Sequence, residues 1–311
     1  MYTFNISESP KPFYIEIQHN TNIFIGGFAV TNNLSDIMLL LVNSKGEEFS
    51  KKMFSFSNNI LYNPTPLPSN EYSLLIYLRQ NNTKYYYPYI GKDEIIISSN
   101  DNILSFHLSQ IFASNGIFLN KIPRNSLFGM NCLRHTENYQ CNDIQIQRLA
   151  KQITEGLFFT YNKIKAIHDW VASHIYYDKD SLQNNKYIQM DKSGLGILVS
   201  RKGVCSGYSN LATALLRASG IPSVGLLCYT LHIDTDGGWE DKTNLSKKPN
   251  HIITLALANS RWIIMDVTWD SDNIFEDGSF KTKTGYGISN KYFDVSVPFI
   301  SSTHKFIELV Y

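Results

Sequence analysis

Apolar and polar positions alternate over short distances through the first third of the chain. β-prone runs stand at Phe13 to Ile17, Ile23 to Val30, Ile37 to Val42, Tyr72 to Leu78, Tyr85 to Ile90, Glu94 to Ile97 and Ile103 to Leu108. Clusters such as Thr31-Asn32-Asn33, Asn43-Ser44-Lys45-Gly46 and Asn63-Pro64-Thr65-Pro66 separate them. Short strands at this spacing predict an all-β sandwich over residues 1–118, an immunoglobulin-like arrangement being one form open to it, and no helix of length. Residues 119–142 lack periodicity and read as a connector.

From Asp143 onward the spacing turns helical. Ile146, Leu149, Ala150 and Ile153 form one stripe up to Glu155, and Ile164, Ile167, Val171 and Ile175 form a second behind a cap at Thr160. A third helix carries Leu211, Leu215 and Ala218, with Ala212 and Leu216 beside them, and ends at Gly220 and Pro222. Residues 179–200 read as a polar loop with a short Gly194-Leu195-Gly196 approach. A strand follows over 224–231, then a polar insertion from His232 to Asn250. Two apolar runs, Ile252 to Ala258 and Arg261 to Trp269, are broken by Asn259-Ser260, which reads as a tight hairpin. A polar loop over 271–290 and strands at Tyr292 to Val297 and Phe306 to Val310 close an α+β domain spanning 143–311.

Composition narrows the function classes. At 311 residues, 43% hydrophobic and 13% aromatic, the chain can bury the cores of two domains. Lys plus Arg number 28 against 27 Asp plus Glu, with no basic run, so nucleic acid is not an expected partner. No window approaches the roughly 20 apolar residues of a membrane span. The first ten residues lack a charged leader and an apolar core; the chain is cytosolic if that start is native and exported if a leader has been removed. Four cysteines, Cys132, Cys141, Cys205 and Cys228, are too few for a disulfide scaffold. Cys132 and Cys141 are close enough in sequence to pair. His135 lies between them, but no fourth ligand follows at metal-site spacing, so neither a metal nor a cofactor is expected. Cys228 reads as a small buried hydrophobe.

Candidate chemistry centres on Cys205. A small-residue turn delivers it to the start of a helix, where free N–H groups and the positive dipole end favour a negatively charged sulfur. Such a nucleophile needs a base and the base an orienting group. A turn centred on Asn259-Ser260 sets Ile253 opposite Asp266 and His251 opposite Thr268. His251 and Asp266 then become diagonal neighbours on one face, roughly 7–8 Å apart at the backbone, a gap their side chains can close.

The stretches Lys202-Gly203-Val204-Cys205-Ser206-Gly207-Tyr208, Asn250-His251 and Trp262 to Asp270 resemble the bacterial transglutaminase-like superfamily, with papain-like cysteine proteases as more distant relatives. Lys163 to Asp178 is similar to that family's first core helix, and Lys291 to Ser296 with His304 to its closing strand. The resemblance covers about residues 143 to 311. It implies a papain/transglutaminase-like fold, a cysteine helix on an antiparallel sheet, with Cys205 as nucleophile, His251 as general base and acid, and Asp266 as the residue holding His251. Family members often carry Ala-Trp after the histidine, where this chain has Ile252-Ile253. Trp239, in the insertion, is a candidate to cover the site instead. One oxyanion donor is the Cys205 backbone N–H; by resemblance the second comes from the preceding loop, with Tyr187 and Gln189 as candidates.

The chemistry implied is acyl transfer at peptide or isopeptide amides through a thioester, with a protein or peptide substrate and hydrolysis favoured over cross-linking. The rival is a catalytically inactive scaffold that keeps the fold. Tyr85-Tyr86-Tyr87-Pro88-Tyr89 could bind a partner or glycan on the sandwich, although alternating tyrosines more simply pack a sheet face. His168 and His304 read as structural. The carboxylates from Asp234 to Asp241 read as a solvated flap rather than a calcium loop.

Overall fold

The computed structural model describes residues 14–26, 34–55, 59–80, 84, 86–90, 95–123, 126–231, 249–258 and 261–311. The chain divides into two compact units: Met1–Ile122 with Ser296–Lys305, and Pro123–Val295 with Phe306–Tyr311.

The first unit is built on antiparallel strands. β1 (Tyr14–Gln18), β2 (Asn22–Gly26) and β5 (Asn59–Tyr62) form one sheet in that order. β4 (Glu48–Ser55), β3 (Leu34–Val42), β6 (Asn70–Gln80), β8 (Ile95–Asn100) and β9 (Ile103–Leu108) form the other, with β7 (Tyr86–Ile90) also on β6. Alternation decides which face is buried: Ile37, Leu39 and Leu41 of β3 are fully enclosed. β4 and β5 escaped the sequence reading because β4 is largely exposed and only every second residue of β5 is buried.

The strands lead into a helix that the sequence reading did not anticipate, α1 (Gln110–Asn120). Ser109 caps it by accepting the Phe112 N–H at 2.9 Å. Its interior Asn115-Gly116 mimics a turn. Asn115 is instead buried, donating to Ser301 Oγ and the His304 carbonyl, and Ile111, Phe112 and Leu119 are buried with it. In the tyrosine run, Tyr86 bonds Met53 Sδ and lies beneath the Arg79 guanidinium, so it is engaged in its own sheet; Tyr85 lies outside the described residues.

The second unit opens with α2 (Ser126–Asn131) inside the expected connector. In α3 (Ile144–Thr154), Asp143 accepts the Gln145 and Ile146 N–H groups. In α4 (Thr160–His174), the cap position is Phe159, without a side-chain bond, rather than Thr160. β10 (Tyr176–Asp178), α5 (Lys179–Gln183), a 3₁₀ turn (Lys186–Ile188) and α6 (Gly194–Ser200) then occupy the stretch read as a loop. Ser193 caps α6, and Ile197 beneath it is buried, which makes a helix of the Gly194-Leu195-Gly196 segment.

β11 (Lys202–Gly203) leads into the cysteine helix α7 (Cys205–Ala218). β12 (Ser223–Thr230), β13 (His251–Ala258) and β14 (Arg261–Met265) follow. The second apolar run does not stay extended to Trp269: α8 (Val267–Asp270) begins behind an Asp266 cap. The supposed loop 271–290 holds the hairpin β15 (Asn273–Glu276) and β16 (Ser279–Thr282). Its turn residues Asp277 and Gly278 both have positive φ, as such a tight turn requires.

The expected strand at Tyr292 is only a bridge between Met265 and Phe293. The chain then enters α9 (Val297–Ser301), in the first unit, and β17 (His304–Val310). The main sheet runs β14-β13-β12-β17, and a second runs β11-β10-β15-β16. α7 is wrapped by core from α3 (Ile146, Ala150), α4 (Ile164, Ile167, Val171) and β14 (Ile263, Met265), with its own Leu211 and Leu215 fully enclosed. No helix among the described residues is long and apolar enough to cross a membrane.

One buried cation ties α7 to its surroundings. Arg217 donates to the Ser223 carbonyl at 3.0 and 2.8 Å and to the Arg134 carbonyl at 2.6 Å, and lies 4.4 Å from the Tyr139 ring centroid. Arg217→Met would leave those carbonyls without their charged donor. It is expected to cost about 2–4 kcal/mol, read as a lower urea midpoint at unchanged slope; an unchanged midpoint would contradict this.

Candidate active site

Cys205 is the first residue of α7 and half-buried. Val204 before it is extended, with φ −86° and ψ −175°, and makes no side-chain cap. The helix start thus has no side-chain cap, while the Gly207 N–H donates to the Val204 carbonyl at 2.8 Å. The approach is tight. A Cβ on Gly203 or on Gly207 would lie 2.5 Å from Ile197 Cδ1, so a side chain at either position would force Ile197 to move. Ser209 Oγ reaches the Ile253 carbonyl at 3.2 Å and Thr254 Oγ1 at 3.0 Å, fixing the first turns of α7 against β13.

β13 begins at His251, opposite Cys228 of β12. Its entry is pinned by Asn250, which accepts the Thr230 N–H at 2.8 Å and donates to the Thr230 carbonyl at 3.1 Å. The β13–β14 ladder keeps the register set by a turn centred on Asn259-Ser260, from Ala258 opposite Arg261 to Thr254 opposite Met265; the turn residues themselves lie outside the described residues. Asp266 lies one residue beyond the ladder. Its Oδ1 accepts the Thr268 and Trp269 N–H groups at 3.0 and 3.1 Å, and its Oδ2 lies 2.8 Å from His251 Nε2. The carboxylate is wholly buried, as its partners allow. Cys205 lies near enough to the same imidazole to act on its charge.

Electrostatics follow from this enclosure. Burial alone would lower the His251 pKa, but the charges of Asp266 and Cys205 and their hydrogen bonds outweigh it and raise the value to about 10. The Trp269 ring lies 5.8 Å from the His251 ring at 41°, and Tyr292 meets Trp269 edge-on at 5.0 Å. An aromatic ring from α8 thus lies against His251. The Asp266 N–H donates to the Tyr292 carbonyl at 3.0 Å.

Tyr187 sits half-buried on the 3₁₀ turn, its ring 5.6 Å from Lys192 Nζ, and Gln189 is exposed at the end of that turn. Neither makes a described contact with Cys205 or His251. Trp239 and the carboxylates from Asp234 to Asp241 lie outside the described residues. Cys132, Cys141 and Cys228 are buried free thiols, and His135 Nδ1 accepts the Asn142 N–H. His168 is enclosed in α4, with Asp270 3.1 Å from Nε2 and Asp169 2.9 Å from Nδ1. It braces the end of the short helix whose start is Asp266. Asn250 and Trp269 both stood in the stretches that carried the resemblance, but their roles needed coordinates.

The second unit is thus an α+β domain presenting a cysteine at the head of a buried helix, beside a histidine and aspartate on an antiparallel sheet. Residues 147–267 match the family model of the transglutaminase-like superfamily, so the chain carries a transglutaminase-like domain. Over 126 residues it is 23% identical to the kyphoscoliosis peptidase of Mus musculus, a stretch covering 40% of this chain and 18% of that protein. Among solved structures, a candidate cysteine protease from Cytophaga hutchinsonii aligns over 92% of this chain and 82% of its own, at 13% identity and TM-score 0.38. A candidate protease from Parabacteroides distasonis aligns over 76% and 41%, at 13% and 0.28.

The raised His251 value has a definite sign. In the unfolded chain the group titrates near 6.5, so the folded site's preference for imidazolium contributes stability in full below about pH 6.5 and loses it as pH rises through about 10. An NMR titration of the His251 ring is expected to show protonation persisting far above pH 7, with a clear downward shift in Asp266→Asn. A wild-type ring that titrates near 6.5 would refute the electrostatic account.

Proposed function

We propose that the chain is a thiol-dependent enzyme acting on amide bonds of proteins or peptides through a Cys205 thioester. The observation that carries this reading is the His251–Asp266 hydrogen bond, with Cys205 near enough to act on the charge of the imidazole and placed at the start of a helix. In the reaction Cys205 Sγ attacks the carbonyl carbon, its proton residing on His251. The C–S bond forms as the carbonyl pair moves onto oxygen, which the Cys205 N–H can meet. Collapse expels the amine, which takes the proton from His251. Water then attacks the thioester carbon, giving up a proton to His251; the C–S bond breaks, the carboxylic acid leaves, and Cys205 is restored with its proton on His251.

Asp266 fixes the imidazole ring and balances its charge throughout; its own N–H acceptance from Thr268 and Trp269 prevents it from turning away. Hydrolysis is favoured over cross-linking, in keeping with the name of the matched mouse relative, a peptidase. The competing scaffold reading would be favoured by the loss of one of the three side chains, and all three are present.

The test is alkylation of Cys205 by iodoacetamide, followed by mass spectrometry across pH, in wild type and His251→Ala. Wild type is expected to be alkylated faster than His251→Ala throughout. Equal rates in the two proteins would rule out the thiolate–imidazolium pair. Buried Cys228 is the internal control and is expected to stay unmodified, since burial raises its thiol well above the ordinary range.

A further inference from the structure

The single turn α8 carries a buried carboxylate at each end. Asp266 caps its start and Asp270 is its last residue. Each faces one imidazole: Asp266 Oδ2 lies 2.8 Å from His251 Nε2, and Asp270 Oδ2 lies 3.1 Å from His168 Nε2. His251 comes from β13 and His168 from α4, so the turn is held between two histidines. The chemistry proposed above uses only the first pair.

The surroundings of His168 define its charge. The ring is fully buried, and its Nδ1 lies 2.9 Å from Asp169 Oδ1, so both nitrogens face carboxylates. A neutral imidazole has one N–H, and its other nitrogen would set a lone pair against a carboxylate oxygen. Only the imidazolium donates to both. Burial works against that charge, but the hydrogen bonds and charges of Asp169 and Asp270 outweigh it and raise the His168 pKa. Lys165 holds Asp169 Oδ2 from outside, and the Phe293 ring packs 4.9 Å from the His168 ring. Burial pushes the Asp270 carboxyl up in turn, and His168, the Tyr292 N–H and Ser289 hold it back.

The two ends of α8 are also tied through Tyr292. Its N–H reaches Asp270 Oδ1 and Oδ2 at 3.0 and 3.1 Å, and its carbonyl accepts the Asp266 N–H at 3.0 Å. The Asp270 N–H donates to the Asp266 carbonyl at 3.2 Å, which closes the set of bonds. The Tyr292 ring meets Trp269, and Trp269 lies against His251.

We infer that the buried His168 cation is a positioning residue for the thiol chemistry: it keeps Asp270 ionised and in place, which fixes α8 and the Asp266 oxygen that orients His251. The assignment rests on the acyl-transfer reading proposed above. His168 meets neither the sulfur nor the substrate and moves no proton. Without its charge, Asp270 is a buried carboxylate that has lost its counter-ion; it takes up a proton or turns away, and the bonds through Tyr292 lose their anchor.

The experiment is an NMR titration of the ring nitrogens in wild type, His168→Gln and the double variant His168→Gln/Asp270→Asn, beside iodoacetamide alkylation of Cys205. Wild-type His168 is expected to be protonated on both nitrogens at about pH 7; a neutral ring there would overturn the inference. His168→Gln strands the Asp270 charge and is expected to move the His251 midpoint down by about one pH unit and to slow alkylation. Adding Asp270→Asn removes that charge and is expected to restore most of both losses, since two amides can hydrogen-bond across the same gap. A single variant that fails to fold beside a folded double variant is the same result in stronger form. An unmoved His251 midpoint in His168→Gln would overturn the assignment, as would a loss that Asp270→Asn leaves or deepens, which marks a packing role. If alkylation of wild-type Cys205 owes nothing to His251, the acyl-transfer reading fails first and this assignment falls with it; if it does depend on His251 and the His251 ring ignores His168, this assignment alone fails.

Discussion

The Asp266 carboxylate is the constraint on which the site depends. A wholly buried carboxylate is tolerated only when its oxygens are all engaged. Here Oδ1 ends the β14 strand by capping α8, and Oδ2 holds His251. One side chain thus stops a strand, starts a helix and orients an imidazole. The three functions are coupled: the capping bonds that turn the backbone out of the sheet also fix the direction in which the second oxygen points. That oxygen, together with the charge of Cys205, raises the His251 pKa against the effect of burial.

This coupling explains why the pair was legible in sequence by an incomplete route. Asn259-Ser260 between apolar runs sets a register, and the register holds as far as Thr254 opposite Met265. Extending the ladder one step further makes His251 and Asp266 diagonal neighbours. In the structure the ladder has already ended, and the two meet because Asp266 turns into a cap. Asp followed by Val-Thr-Trp is as good a cap signal as a strand signal, and alternation of apolar residues alone could not separate them. The helices α3 and α7 were easier, since each buries a continuous stripe and carries its own stop or cap.

What the sequence concealed has physical causes of two kinds. Some elements lack a hydrophobic period because little of them is buried: β16 is exposed throughout, and only the Asp277-Gly278 turn betrays its hairpin. Others are made by long-range contacts. α1 contains Asn-Gly, which reads as a turn until Asn115 finds Ser301 and His304, 186 and 189 residues away in sequence. Trp269 falls in the same class. It is an ordinary aromatic in its own segment and acquires a place beside His251 only when α8 is set in space.

The two thiols flanking His251 show how far position outweighs residue type. Cys228 lies directly across the β12–β13 ladder from the histidine, is fully enclosed, and has its sulfur 3.4 Å from the Leu226 carbonyl. Burial, together with the nearby charges of Asp266 and Cys205, holds it in the neutral form, so it packs as a small apolar side chain. Cys205 faces the same imidazole from the head of a helix and remains partly open. Were the site specified by proximity to histidine alone, both sulfurs would qualify. What separates them is access to a carbonyl carbon and to N–H groups at a helix start, and only the strand-to-helix turn at Gly203 and Val204 supplies both.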